Sequence, residues 1–196
     1  MRQLDLGAGG ANRIQDGYEG YGVDIVASER PWLKENKVAD LALQPIPYDD
    51  DTFDLVTAYD VLEHIPKMLY LPFLKEIKLP SQQGRPGEFA YEQDVYRRNC
   101  MIELFNEVYR VLKNGGEFYF VVPKGGTAQY MADPTHVTEW VEDSVNYYSG
   151  DYFGHHDSYG HTSKFKKISV ENDGQHDWRM VVRLKAIKPA GPPYTL

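Results

Sequence analysis

Near its start the chain runs Leu4-Asp5-Leu6-Gly7-Ala8-Gly9-Gly10, and Gly22-Val23-Asp24-Ile25 comes next, which sets a second acid 19 positions after Asp5. An apolar strand that gives way to a glycine-rich turn, then a strand ending in an acid, is the layout of a nucleoside pocket at the edge of a parallel sheet. Glycines let the backbone approach a ligand closely, and the acid accepts hydrogen bonds from both ribose hydroxyls. The pattern predicts an adenosine-containing cofactor. A dinucleotide fingerprint would continue as G-x-G-x-x-G, but position 12 is Asn, and no G-x-x-x-x-G-K-[ST] phosphate loop occurs. A lone glycine turn is also an ordinary tight turn, so the reading depends on the segments downstream of it.

The LDLGAGG run with GVDI resembles motif I and the acidic strand end of class I S-adenosylmethionine-dependent methyltransferases, and three further segments match in order. Lys37-Val38-Ala39-Asp40-Leu41 leads through Pro45-Ile46-Pro47 to Asp51-Thr52-Phe53-Asp54-Leu55-Val56. Val56-Thr57-Ala58-Tyr59-Asp60-Val61-Leu62-Glu63-His64-Ile65 is similar to the family's fourth strand and the turn after it. Glu107 to Gly116, continuing through Glu117 to Pro123, is similar to its next helix and fifth strand. The matches span residues 3 to 123. The resemblance implies S-adenosylmethionine as cofactor, with Asp5, Gly7, Ala8 and Gly9 around its methionine and ribose, Asp24 on the ribose hydroxyls with Ile25 beside it, Asp40 and Leu41 at the adenine, and Tyr59 near the methionine end. Asp24 and Asp40 have a second reading as caps of a helix or turn. His64, at a helix start, is open between structure and cofactor.

The implied fold is α/β: a Rossmann-like class I methyltransferase sheet, mostly parallel, with a C-terminal antiparallel hairpin. Strand signals alternate with helix signals over the first two thirds, as a parallel sheet with crossover helices requires. Only about two helical turns fit between Gly10 and Gly17. Val108, Val111 and Leu112 share one helical face, and Gly115-Gly116 are expected to end that helix. Residues 164–170 alternate with a period of two, Asn172-Asp173-Gly174 reads as a turn, and Met180, Val182 and Leu184 alternate in a last strand. The tail from Pro189 to Leu196 reads as irregular. At 196 residues one domain is expected over 1–196, with two insertions as lid or acceptor segments. One is 66–99, prolines and the loop Ser81 to Gly87 among it, read as a long binding loop. The other is 124–163, dense in Tyr, Trp and His, which suits either core packing or a pocket wall. The family's usual leading helix is absent ahead of the first strand, so a truncated reading frame is expected, or a minimal enzyme that builds its lid from those two segments.

Charge narrows the partners. The chain carries 21 basic and 29 acidic residues, formally −8, which disfavours the broad basic surface behind nucleic-acid affinity. Lys164, Lys166 and Lys167 form only a local group. The single cysteine, Cys100, cannot form an intramolecular disulfide and reads as packed. No signal peptide or long apolar span is evident, so a cytoplasmic protein without membrane attachment is expected; a homodimer is left open.

The acceptor is expected to be a small molecule or saccharide. Asp133-Pro134-Thr135-His136-Val137 resembles a segment after the fifth strand in methyltransferases linked to sugar or polysaccharide modification. His136 is the candidate base for a hydroxyl acceptor, with Asp133 beside it; the same two residues also suit a loop cap and an Asp-Pro turn. O-methylation is the expected chemistry; the rivals are N-methylation of an amine or amino sugar, and a non-catalytic cofactor-binding subunit. A metal on His155, His156, Asp157 and His161 is weighed and set aside, because adjacent histidines on a strand point to opposite faces.

Overall fold

The computed structural model describes residues 1–78, 89–149 and 159–189. They form two compact units, residues 1–67 with 100–189, and residues 68–99. In the larger unit, strands β1 (Arg2–Leu6), β2 (Glu19–Asp24), β3 (Glu35–Val38), β4 (Phe53–Tyr59), β7 (Leu112–Pro123), β8 (Phe165–Asp173) and β9 (His176–Ala186) make one sheet, in the order β3-β2-β1-β4-β7-β9-β8. The first five are parallel, and β9 runs antiparallel to both β7 and β8. This is the mostly parallel α/β sheet with a C-terminal hairpin that the sequence leads one to expect. The hairpin turn falls at Gly174-Gln175, slightly later than the expected Asn172-Asp173-Gly174, because β8 stays paired as far as Asp173 opposite His176.

One face of the sheet is packed by helices. In α1 (Cys100–Val111) the buried residues Cys100, Met101, Leu104, Phe105, Val108 and Val111 form a single stripe. Phe105 meets Phe118 and Phe120 of β7 edge-on and stacks on Tyr148 of α3 (Glu142–Ser149) at 4.4 Å. Trp140, fully buried, closes the cluster at 5.3 Å from Phe120. Part of the aromatic density of 124–163 is therefore core: Trp140, Tyr148 and Tyr130 are buried, whereas Tyr147 and Tyr159 are exposed. Tyr152, Phe153, His155, His156 and Asp157 lie outside the described residues, as do the Ser81 to Gly87 loop and most of the tail.

Three expectations are corrected. The crossovers 7–18, 25–34 and 39–52 contain no helix. Side chains take over the bonds a helix would make: Gln3, fully buried on β1, donates from Nε2 to the Arg13 carbonyl at 2.9 Å and accepts at Oε1 from the Gln15 amide at 2.8 Å, while Asn12 accepts from the Ile14 amide and Asn36 donates to the Ser28 carbonyl. Secondly, α1 stops at Val111, ahead of Gly115-Gly116. Its last carbonyls accept from the Asp51 and Thr52 amides, and buried Leu112 is drawn into the sheet opposite Phe53; the backbone then turns at Gly115, φ +80°, before pairing resumes at Leu55 and Glu117. Thirdly, much of 66–99 is a ribbon and not a loop: β5 (Leu69–Lys78) and β6 (Phe89–Arg98) pair antiparallel, Leu69 opposite Arg98 and Lys78 opposite Phe89. Leu69, Leu71, Phe73 and Ile77 supply the period-two pattern behind it.

Between β7 and α3 lie the short helix α2 (Ala128–Ala132), capped by the Thr127 hydroxyl, and the segment 133–138. Cys100 is buried, as expected. Among the described residues no helix is long and apolar enough to cross a membrane.

Candidate functional site

The parallel strands deliver the predicted cofactor residues to one edge. Register places Leu6 beside Val23 and Ala58, and Asp24 beside Val38, so Gly7, Asp24, Asp40 and Tyr59 all stand at the carboxyl ends of β1, β2, β3 and β4. Ligands of open α/β sheets bind in this crevice. The turn itself is held by the Gly7 and Ala8 amides, both donating to the Val23 carbonyl at 2.8 and 3.2 Å. Gly7 has φ +65°, and a Cβ there would stand 2.3 Å from Val61 Cγ2, so only glycine fits. Gly10 faces open space, and at Gly9 a Cβ would meet only the Gly7 carbonyl, at 3.6 Å. The loop thus offers backbone with room above it.

Asp5 lies beneath the loop, 3% exposed, and accepts from the Thr57 hydroxyl at 2.7 Å. Burial pushes its carboxyl up to about 6, against the pull of Thr57 and the Arg13 charge. Asp24 accepts from the Val26 amide at 3.0 Å, and Asp40 from the Ala42 amide at 2.9 Å. Both acids therefore cap the local turn while remaining at the crevice edge. Leu41 is largely buried and Ile25 is exposed. Tyr59 carries the Arg13 guanidinium over its ring at 4.7 Å and lies against Tyr119.

One strand over from the loop, at the carboxyl ends of β4 and β7, a cavity of about 570 Å³ opens between Asp60, Glu63, His64, Pro123, Asp133, His136, Trp178, Arg179 and their neighbours. The chain leaves β4 through Asp60 in the left-handed region, φ +55°, a conformation aspartate tolerates better than most residues. A 3₁₀ turn, Leu62–His64, comes next. The segment 133–138 is tied to that turn: the Val137 and Thr138 amides donate to the Glu63 carbonyl at 2.8 and 3.0 Å, and the Thr138 hydroxyl to the Ile65 carbonyl at 2.6 Å. His136 so arrives against Glu63. Its Nδ1 lies 2.8 Å from the Tyr130 carbonyl, and its Nε2 stands 3.9 Å from Glu63 Oε1 and 3.7 Å from Asp133 Oδ2. The rings of His64 and His136 meet edge-on at 4.9 Å.

The two acids differ in character. Asp133 accepts from the hydroxyl and amide of Thr135, which hold its carboxyl below the usual range. Glu63 is 1% exposed, and burial pushes its carboxyl up to about 8. On the far wall Arg179 donates from Nη2 to both oxygens of Asp60, at 2.9 and 2.6 Å. The structure brings His136 and Asp133 together and adds Asp60, Glu63 and Arg179, to which the sequence pattern assigns no role. Glu63 belongs to the motif beside β4, but nothing local marks it as buried against a residue 73 positions away.

Comparison with known proteins agrees with this layout. Residues 4–78 match the methyltransferase domain family. No curated protein matches the chain. Among solved structures, a complex containing the Haloferax volcanii Trm112 methyltransferase activator aligns with TM-score 0.59 at 13% identity, over 97% of this chain and 84% of the other. An S-adenosylmethionine-dependent methyltransferase from Aquifex aeolicus aligns with TM-score 0.53 at 13% identity, over 95% and 82%. Phosphoethanolamine N-methyltransferase 2 of Haemonchus contortus, in complex with S-adenosylmethionine, gives 0.52 at 16% identity, over 96% of this chain and 49% of the other. The chain shares its fold with structures of S-adenosylmethionine-dependent methyltransferases, and residues 4–78 are similar in sequence to the methyltransferase domain family.

Proposed function

We propose that the chain transfers a methyl group from S-adenosylmethionine to a small-molecule or saccharide acceptor, at oxygen. The observation that supports this most directly is the shared edge: a glycine turn with open space above it at β1, and a polar cavity one strand away at β4 and β7. Asp5, Gly7, Ala8, Gly9, Asp24, Ile25, Asp40, Leu41 and Tyr59 are assigned to the cofactor. The bound sulfonium supplies an electrophilic methyl. As the new C–O bond forms, the electrons of the C–S bond stay on sulfur, and the acceptor's proton leaves. What the protein contributes is alignment and proton removal. The cluster of Glu63, Asp133 and His136 at the acceptor end is assigned to that proton, with His136 at its centre.

A second reading is favoured by one observation: three carboxyl groups, Asp60, Glu63 and Asp133, line the cavity, and such a wall also suits an amine. A radiolabelled methyl-transfer screen over nucleotide sugars, glycans and small amines, with mapping of the methylated atom, separates the two. His136→Ala should lower turnover by about 10²-fold or more with cofactor affinity retained. Asp24→Ala should instead weaken the rise in melting temperature that S-adenosylmethionine produces. Calorimetric binding of NAD with none of S-adenosylmethionine would sink the proposal.

A further inference from the structure

We infer that Glu63, His64 and His136 form a binding site for one divalent first-row transition cation, of the Zn²⁺ or Mn²⁺ kind. Each of the three offers a ligand atom, and these atoms lie within 4.8 Å of one another. Bond lengths of about 2.0–2.2 Å to such an ion would draw them together by roughly an ångström, an adjustment that exposed His64 can make.

The hydrogen bonds around the two imidazoles settle which nitrogen of each carries its hydrogen. The Tyr130 carbonyl can only accept, so at 2.8 Å it fixes the hydrogen of His136 on Nδ1, and Nε2 presents its lone pair toward Glu63. At His64, Nδ1 lies 3.3 Å from the Thr135 carbonyl and 3.0 Å from the Thr135 hydroxyl, whose own hydrogen goes to Asp133 Oδ1 at 2.6 Å. Both contacts make His64 Nδ1 the donor and leave the free lone pair on Nε2. Imidazoles oriented in this way, one N–H held by a carbonyl or hydroxyl and the other nitrogen bare, are the usual arrangement around metal-ligating histidines.

Glu63 is the independent observation. Its carboxyl is buried, lines the cavity, and has no hydrogen-bond partner on either oxygen. A buried polar group left unpaired is costly. A cation among Glu63 and the two imidazoles would satisfy all three groups at once. Two imidazoles and one carboxylate favour Zn²⁺ or Mn²⁺ over Ca²⁺, which prefers oxygen ligands throughout. With an ion bound, His136 Nε2 would be a ligand and no longer free to take the acceptor's proton, and the positive charge would instead ease its loss; the base role assigned above belongs to the metal-free chain.

The binding does not depend on the methyl-transfer reading and is measured without donor or acceptor. The full chain, stripped with EDTA and dialysed, is titrated calorimetrically with Zn²⁺, Mn²⁺ and Ca²⁺. One Zn²⁺ or Mn²⁺ per chain should bind, at least 10-fold more tightly than Ca²⁺. His64→Asn, an exposed position that leaves the core intact, and Glu63→Gln should each weaken binding 10²-fold or more; Thr135→Val, which frees the His64 ring, should weaken it about 10-fold or more. Circular dichroism verifies that each variant is folded. No saturable binding, or binding unchanged in the folded His64→Asn and Thr135→Val variants, would overturn the site. Methyl transfer undiminished in the stripped protein leaves the ion without a part in the reaction and the functional proposal standing.

Discussion

Asp5 is a carboxylate held where a carboxylate is unwelcome. It is buried under the glycine turn with one hydroxyl donor, and its folded pKa of about 6 lies well above the 3.9 or so expected of an unfolded chain. Between those values the native protein keeps a proton that the unfolded chain has lost, so stability falls as pH rises through the window from about 4 to 6. Two pKa units correspond to about 3 kcal/mol. Asp5→Asn keeps an acceptor for Thr57 and removes the titration. Urea unfolding at pH 4 and pH 7 should therefore show wild type losing up to about 3 kcal/mol relative to the variant; a difference constant across that range would contradict the assignment. A cationic ligand above the loop would favour the charged form of Asp5, so cofactor binding at pH 5 should release a proton, detectable as a buffer-dependent binding enthalpy.

At the scale of elements, the first crossover shows how one strand residue replaces a helix. Gln3 holds residues 13 and 15 through both ends of its amide and donates to Thr57 Oγ1 at 3.1 Å, which ties the crossover to β4 as well. Gln3→Leu would strand the Arg13 carbonyl and the Gln15 amide and should cost about 2–4 kcal/mol. Because the damage lies beside the glycine turn, limited proteolysis within 7–18 should rise before global unfolding; an unchanged cleavage rate would show that the segment is held by something else. The same residue explains why the crossovers were illegible. A buried glutamine in an apolar strand gives no periodic signal, and the side-chain bonds of Asn12, Asp24, Asn36 and Asp40 satisfy backbone groups without any helical pattern. Strand ends, by contrast, were readable. Glycines and acids mark the carboxyl ends of β1 and β2, and the alternation in β8 and β9 marks the hairpin.

For the molecule as a whole, the sheet order was accessible through motif order, whereas the cavity beside β4 and β7 was not. Asp60 and Glu63 stand just past β4, His136 past β7 and Arg179 on β9, so the cavity exists only once strands distant in sequence have paired. His136 and Asp133 could be named because their segment resembles a known one; their partner Glu63 could not, because burial is a property of the fold. The fastening of 133–138 onto the turn after β4 has a further consequence. Val137 and Thr138 sit outside regular secondary structure, yet their amides both end on the carbonyl of buried Glu63, and the Thr138 hydroxyl reaches Ile65 in the interior. Amide hydrogen exchange should give these two protons opening free energies close to those of β4, far above those of ordinary loop amides. Thr138→Val should lower both by about 1 kcal/mol with the β4 amides unchanged; rapid exchange in the wild type would mean the segment opens alone. With the fastening intact, this wall of the cavity should have no melting transition of its own. The wall should then be lost only when the sheet itself comes apart.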